Sequence, residues 1–276
     1  MKRLVGVVFL TAMMLLLLLP ASFGWGDAAL RMITDKAVDT LPDEMMPFFQ
    51  SNRSFLIQHA GDEATAEAKN RSGMRNNFIE LDHYGPFPYT ALPRSYAEAV
   101  TKFGKRSLAT HGQLPWQVGV YSAKLTEAMR THDWEGAKVA AAALAYYVAS
   151  AHDPFKTTTN SDGHLSDQLG VNERFGVGLV DHYQRFFFLR PNEAQFIRDP
   201  TDHAFEMCLS AHSWLENILL ADERSHQGLS DYNGEYYDRF YAQAGAVLVR
   251  QLTDASTDIG SYWMTAWINA GRPSLP

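Results

Sequence analysis

The chain has one cysteine, Cys208, so no disulfide can close within it and the core alone must hold the fold. No window alternates apolar and polar residues for more than a few positions, which excludes a fold built on sheets. Its 12 prolines and 19 glycines gather into no linker, and no repeat or low-complexity segment interrupts the pattern. Bulk disorder is thereby excluded. A long basic run is missing and the net charge is −7, which argues against a nonspecific electrostatic grip on nucleic acid. GxSxG, HExxH, CxxC and P-loop patterns are absent, and the ten histidines form no closely spaced pair of the metal-binding kind.

What is there suffices for one sizeable core, with 46% hydrophobic residues over 276 positions. The first residues have the layout of an export leader. Lys2 and Arg3 precede an apolar run from Leu4 to Leu19, Pro20 breaks it, and Ser22 and Gly24 supply small residues. Cleavage after Gly24 is expected, giving a leader over 1–24 and a mature domain over 25–276 that begins with Trp25. The apolar run is short for an uncleaved anchor, and no window after residue 25 resembles a transmembrane span. The expected location is the periplasm or the outside of the cell.

The pattern is helical nearly throughout, and the expected fold class is an all-α, single-domain multi-helix bundle. Leu30, Ile33 and Val38 mark one face of a first helix, and 43–60 continues as a second helix or two short ones. The polar stretch 61–77 reads as a loop, and the proline-bearing 78–95 as irregular. A short helix is expected over 95–102. Pro115 suits the first turn of a helix running to about His132. Trp134 to His152 is the clearest helix, with small residues at Ala137, Ala140 to Ala143 and Ala145 that let neighbours approach. Further helices are expected at about 165–190, 192–220 and 234–255. Cys208 lies in an apolar helical pattern and reads as a small buried hydrophobe.

Several stretches could carry chemistry. His152 and Asp153 are adjacent at a helix end, where neighbours in sequence face apart unless the Pro154 break turns one of them. His59 and Asp62 are three apart, with Gly61 between them as a helix terminator. Asp82–His83 and Asp162 with His164 read as loop residues bonded to backbone or water. Tyr146, Ser150 and Asp153 share a helix face, and Lys156 follows just after the break. An Asp153–Lys156 pair is open to two readings, a polar pocket or an exposed ion pair of little worth.

Taken together, the order and spacing of several motifs resemble the zinc-dependent phospholipase C and single-strand nuclease family. They are WG at 25–26, TLPDEM at 40–45, HAGD at 59–62, FIELDHYG at 78–85, LPW at 114–116, AHDPF with TT and DG at 151–163, and WMTAWINAGRPSL at 263–275. The resemblance implies an all-helical bundle whose cleft holds three zinc ions that hydrolyse phosphate esters, one of them bound by the amine and carbonyl of the mature N-terminal Trp. Zinc of this kind lowers the pKa of a bound water while neighbouring ions neutralise the phosphate.

The same resemblance locates what has changed. Its ligand positions are occupied here by Leu30, Asn77, Tyr146, Ser150, Lys156, Asn172 and Gly176, where the family pattern carries histidines and carboxylates. Trp25 and Asp62 are the ligand positions retained. His59, His83 and His152 fall where many members carry polar residues that are not ligands. A protonated lysine repels cations, and phenol and alcohol oxygens are weak ligands, so no bound metal or cofactor is expected. Lys156 is expected to neutralise Asp62 or Asp153 in place of the metal charge.

The primary expectation is an exported relative without zinc-dependent phosphodiester hydrolysis, a pseudoenzyme with a ligand-binding or interaction role in the relict cleft. The expected partner class is a phosphate-containing small molecule or a lipid headgroup. The alternative is an active zinc-dependent phosphoric-ester hydrolase with relocated ligands drawn from Asp62, His59, His83, His152 or His164, with Asp62 as its catalytic carboxylate. A third reading is a metal-free acid/base hydrolase.

Overall fold

The computed structural model describes residues 24–69 and 74–276, so the expected leader lies outside the described residues except for Gly24. The fold is all-α. Among the described residues the sole extended pairing outside helices is a bridge between Ile79 and Gly112. No helix is long and apolar enough to cross a membrane among these residues.

Helix α1 (Asp27–Val38) buries Ala29, Leu30, Ile33, Thr34, Ala37 and Val38, the single apolar stripe that its sequence spacing dictates. Two short helices follow, α2 (Met46–Ser51) and α3 (Arg53–His59). The stretch expected to be a loop then forms α4 (Asp62–Lys69). Its residues are polar, but Glu, Ala and Lys are strong helix formers, and Asp62 and Glu63 complement the positive end of the helix dipole. Polarity misled the sequence reading because this helix is short.

Helix α5 (Tyr96–Phe103) and helix α6 (Lys105–His111) flank Gly104, whose φ of +79° suits glycine at the junction. Helix α7 (Leu114–Arg130) starts with Pro115 in its first turn, as expected. Helix α8 (Trp134–Ala151) begins on Asp133, whose carboxylate accepts from the Gly136 N–H at 2.9 Å. Every residue from Ala140 to Ala151 is buried, so the second half of α8 runs through the centre of the fold, covered on all sides. Its small side chains leave carbonyls within reach of two tryptophans. Trp263 Nε1 donates to Ala141 O at 3.0 Å and Trp25 Nε1 to Ala149 O at 2.7 Å.

The helix expected over 165–190 is instead a turn-rich loop followed by a broken helix. Gly163, Asp167 and Gly170 all have positive φ, and Asn160 Oδ1 accepts from the Leu165 N–H, so local side-chain bonds displace helical ones. Helical backbone resumes with α9 (Val171–Glu173), widens to a π-turn over Arg174–Gly178, and continues as α10 (Leu179–Tyr183).

The helix expected over 192–220 also divides. Residues 187–199 run as a non-helical strap. Its amides donate to Thr257, Ser261 and Thr265 hydroxyls, which lie one turn apart on the last helix, and to Thr40 O. Those long-range bonds replace the helical ladder. Asp199–Pro200 then restarts the helix, since Asp199 caps two amides and Pro200 enters the first turn as α11 (Pro200–His212). A break at 213–214 precedes α12 (Leu215–His226).

Helix α13 (Gly234–Asn269) extends well past the expected end at 255, to a length of about 54 Å. Its last turns stay helical because Ile259, Tyr262, Trp263 and Ala266 are buried, with Trp263 stacked on Phe49 at 4.9 Å. Cys208 is fully buried on α11, as its apolar surroundings implied.

Candidate functional site

The residues singled out around α8 converge, although they come from distant parts of the chain. Tyr146 and Ser150 lie one turn apart on α8, both buried. Asp153 stops the helix and caps the next turn, accepting from the Phe155 N–H at 2.9 Å. Lys156 ends that 3-10 turn, and its carbonyl accepts from the Ile79 N–H at 2.8 Å. This bond draws the 77–79 segment against the end of α8. Asn77 Nδ2 then donates to the Tyr146 hydroxyl at 2.9 Å and to Glu67 Oε2 at 2.7 Å.

Glu67, on α4, is the centre of this network, and it is the residue that the sequence reading missed. Besides Asn77, it accepts from Tyr146 at 3.3 Å and from Tyr147 at 2.9 Å. The Tyr147 hydroxyl also lies 3.1 Å from Glu63 Oε2, and Tyr121 donates to Glu63 Oε1 at 3.0 Å. Glu63 and Glu67 are four apart, so a helix puts both on one face. That spacing was the available signal, hidden by reading 61–77 as a loop.

Charge in the cluster is set by burial. Burial raises the carboxyl of Glu67, against the lowering effect of its three hydrogen-bond donors and Lys156. It pushes Asp153 up to about 6, opposed by Lys156 and the Phe155 and Lys156 amides. It lowers Lys156, opposed by Asp153 and Glu67. Both Tyr146 and Tyr147 are raised by burial and by the Glu67 charge, so they remain hydrogen-bond donors. Asp153 and Lys156 are thus buried, which corrects the exposed-pair reading. They sit beside one another without closing a hydrogen-bonded ion pair, and Asp153 Oδ2 has no partner among the described residues.

The N-terminal segment closes the other side. Trp25 is buried, its indole bonded to Ala149 O and its ring 6.1 Å from Phe175. The Gly26 N–H reaches Gly176 O at 3.4 Å. A Cβ on Gly176 would lie 2.9 Å from Gly24 O, so the absence of a side chain there lets the two backbones touch. Leu30 is core packing one turn into α1. Asn172 is buried at the start of the broken helix, with its Oδ1 unpartnered among the described residues.

Asp62 is not joined to this network. Its exposed carboxylate accepts from His59 Nδ1 at 2.7 Å, bridging the α3–α4 junction. Lys156 therefore faces Asp153 and Glu67, and the expected neutralisation of Asp62 is not found. His152 and Asp153 form no dyad, because His152 Nε2 turns to Asp258 Oδ2 at 2.9 Å. His203 donates to the other oxygen of Asp258, also at 2.9 Å. His83 stacks on His111 at 3.3 Å, Asp82 accepts from Thr158 and Thr159, and His164 is exposed. Among the described residues no three His, Cys, Asp or Glu side chains converge on a point suited to a metal ion.

An open groove of about 770 Å³ is lined by Arg94, Tyr96, Gln113, Trp116, Thr201 and Asp202 among others, and by none of the cluster residues. Its cation, Arg94, is already held by Asp202 and Glu206.

What the cluster can do chemically follows from its inventory. It offers two carboxylates in Glu63 and Glu67, three phenols with raised pKa, an amide, an alcohol and a buried Asp–Lys couple. A zinc cluster needs about four anionic or imidazole ligands per ion, and this donor set does not fit one. No protein family model matches the chain, and no curated protein matches it.

Proposed function

We propose that this chain is an exported, non-hydrolytic relative of the phospholipase C and single-strand nuclease family, in which the former metal pocket has become a metal-independent keystone. One observation supports the reading above the others. The substituted ligand positions Asn77 and Tyr146 lie 69 positions apart in sequence, yet both donate to one buried carboxylate, Glu67, which also feels the nearby Lys156 charge. Amide and phenol donors satisfy this carboxylate without a divalent ion, and the nearby Lys156 charge lowers its pKa further. A buried charge without such partners is costly.

In this reading the protein acts by binding. The proposed partner class is a phosphate-bearing small molecule or a lipid headgroup, bound away from Lys156, whose charge is taken up by Asp153 and Glu67. The alternative of a zinc hydrolase with relocated ligands draws no support from the dispersed histidines.

Elemental analysis of the exported protein, purified without chelator, tests the reading. The expected result is substoichiometric zinc, melting unchanged by EDTA, and no release of product from phospholipid or single-stranded DNA. Two or more zinc ions per chain, or chelator-sensitive phosphodiester hydrolysis, would reject it. Calorimetric titration with phosphocholine and with inorganic phosphate then separates a headgroup site from a general anion site.

A further inference from the structure

Gly24 rests directly on the orphaned oxygen of the cluster. A side chain at this position would overlap Asp153 Oδ2 and come within 2.6 Å of Lys156 Cε. Gly24 has a φ of +70°, so both its conformation and its surroundings require glycine. Asp153 is 1% exposed, and its Oδ2 has no hydrogen-bond partner among the described residues. A buried acceptor left unsatisfied is destabilising.

The same glycine is the last residue of the expected leader. In the export reading, signal peptidase hydrolyses the Gly24–Trp25 peptide bond: water supplies OH to the Gly24 carbonyl and a proton to the Trp25 nitrogen. The leader departs as a carboxylate and the remaining chain gains an α-ammonium. Trp25 stays anchored by its indole bond to Ala149 O and by Gly26 N–H to Gly176 O. Its nitrogen is two bonds from Gly24 Cα, and removal of Gly24 vacates the space against Asp153.

We propose that the space beside Asp153 is a binding site for a primary ammonium and that its occupant is the α-ammonium of Trp25, released by leader cleavage. The proposal rests on the export reading given above. Charge supports it independently. Asp153 and Glu67 are buried acids that share Lys156 as their nearby cation, and a second ammonium gives these two acids one cation each. Processing thus completes the keystone, and the unprocessed chain keeps an unsatisfied carboxylate.

The test uses the chain exported from its own leader. Intact-mass analysis first fixes the N-terminus. A start at Trp25 is expected, and another start overturns the cleavage reading itself. On the Trp25-initiated chain, the α-amine should acylate with an amine-reactive ester about tenfold more slowly when native than when unfolded in urea, because an ion-paired ammonium holds its proton. Asp153→Asn should restore the fast rate in the folded protein. Equal native and unfolded rates, or protection that persists in folded D153N, would overturn the proposal with the export reading intact. Should D153N fail to fold, a crystal structure of the processed wild-type chain decides. The Trp25 nitrogen within hydrogen-bond distance of Asp153 Oδ2 supports the site, and a nitrogen turned away refutes it.

Discussion

The Tyr147 hydroxyl and Glu67 Oε1 lie 2.9 Å apart, joining the central helix to α4 across 80 positions of sequence. Glu67 takes two further donors from Asn77 and Tyr146. Removing the acceptor orphans several donors together, while removing one donor leaves the carboxylate served by the others. Glu67→Ala should therefore cost clearly more than Tyr147→Phe, about 2–4 against about 1 kcal/mol. Urea unfolding of the two variants measures this, and the opposite ranking would show that Glu67 is not the hub.

Asp258 receives His152 and His203 on its two oxygens. Burial alone would raise its carboxyl, but the two histidine hydrogen bonds hold it well below the usual range. His203 is raised, chiefly by its bond to Asp258. A depressed acid contributes stability above its unfolded pKa and loses it as pH falls. A raised histidine contributes fully below its unfolded pKa and loses the contribution as pH rises through its folded value. The stabilisation from the Asp258–His203 pair is therefore greatest between about pH 4 and 6.5. The melting difference between wild type and Asp258→Asn should peak in that window and shrink on either side.

Arg174 and Asp222 form a buried fork, with Nε to Oδ1 at 2.9 Å and Nη2 to Oδ2 at 3.0 Å, and the Tyr236 hydroxyl also reaches Asp222. Arg174 further donates to Leu169 O at 2.8 Å, tying down the turn before the π-turn. Asp222→Ala should cost about 3–5 kcal/mol, because it leaves a buried guanidinium unpaired. Arg174→Lys should also destabilise, since a single ammonium cannot make the fork. Chemical denaturation checks both, and a neutral Arg174→Lys would show that the fork geometry is dispensable.

Gly260 on α13 marks the closest crossing with the end of α1. A Cβ there would collide with Thr40 Oγ1 and lie 3.1 Å from Ala37 O. Gly260→Ala should lower stability by about 1–3 kcal/mol through overpacking. Thr40→Ala, which removes the nearest atom, should recover part of that loss in the double variant. Thermal melts of the four-member cycle give the coupling, and strict additivity would exclude the collision.

The helical class, the stripe on α1, the α7 start at Pro115 and the extent of α8 were all legible in the sequence, because helix period and capping are local properties. So was the set of residues around the cluster: Tyr146, Ser150, Asp153 and Lys156 share a face or adjoin its end. Beyond that range the sequence was silent or misleading. Glu67 looked like one more charge in a polar stretch, and its role follows from Asn77, Tyr146 and Tyr147 arriving from elsewhere. The strap over 187–199 read as helix, and it is non-helical because hydroxyls on α13 take its amides. His152 turned away from Asp153, its neighbour in the chain, toward Asp258, more than a hundred residues away. Local propensity decides which segments coil. Tertiary packing decides which polar groups lose water, and a group that has lost water must bond to whatever the fold brings within reach.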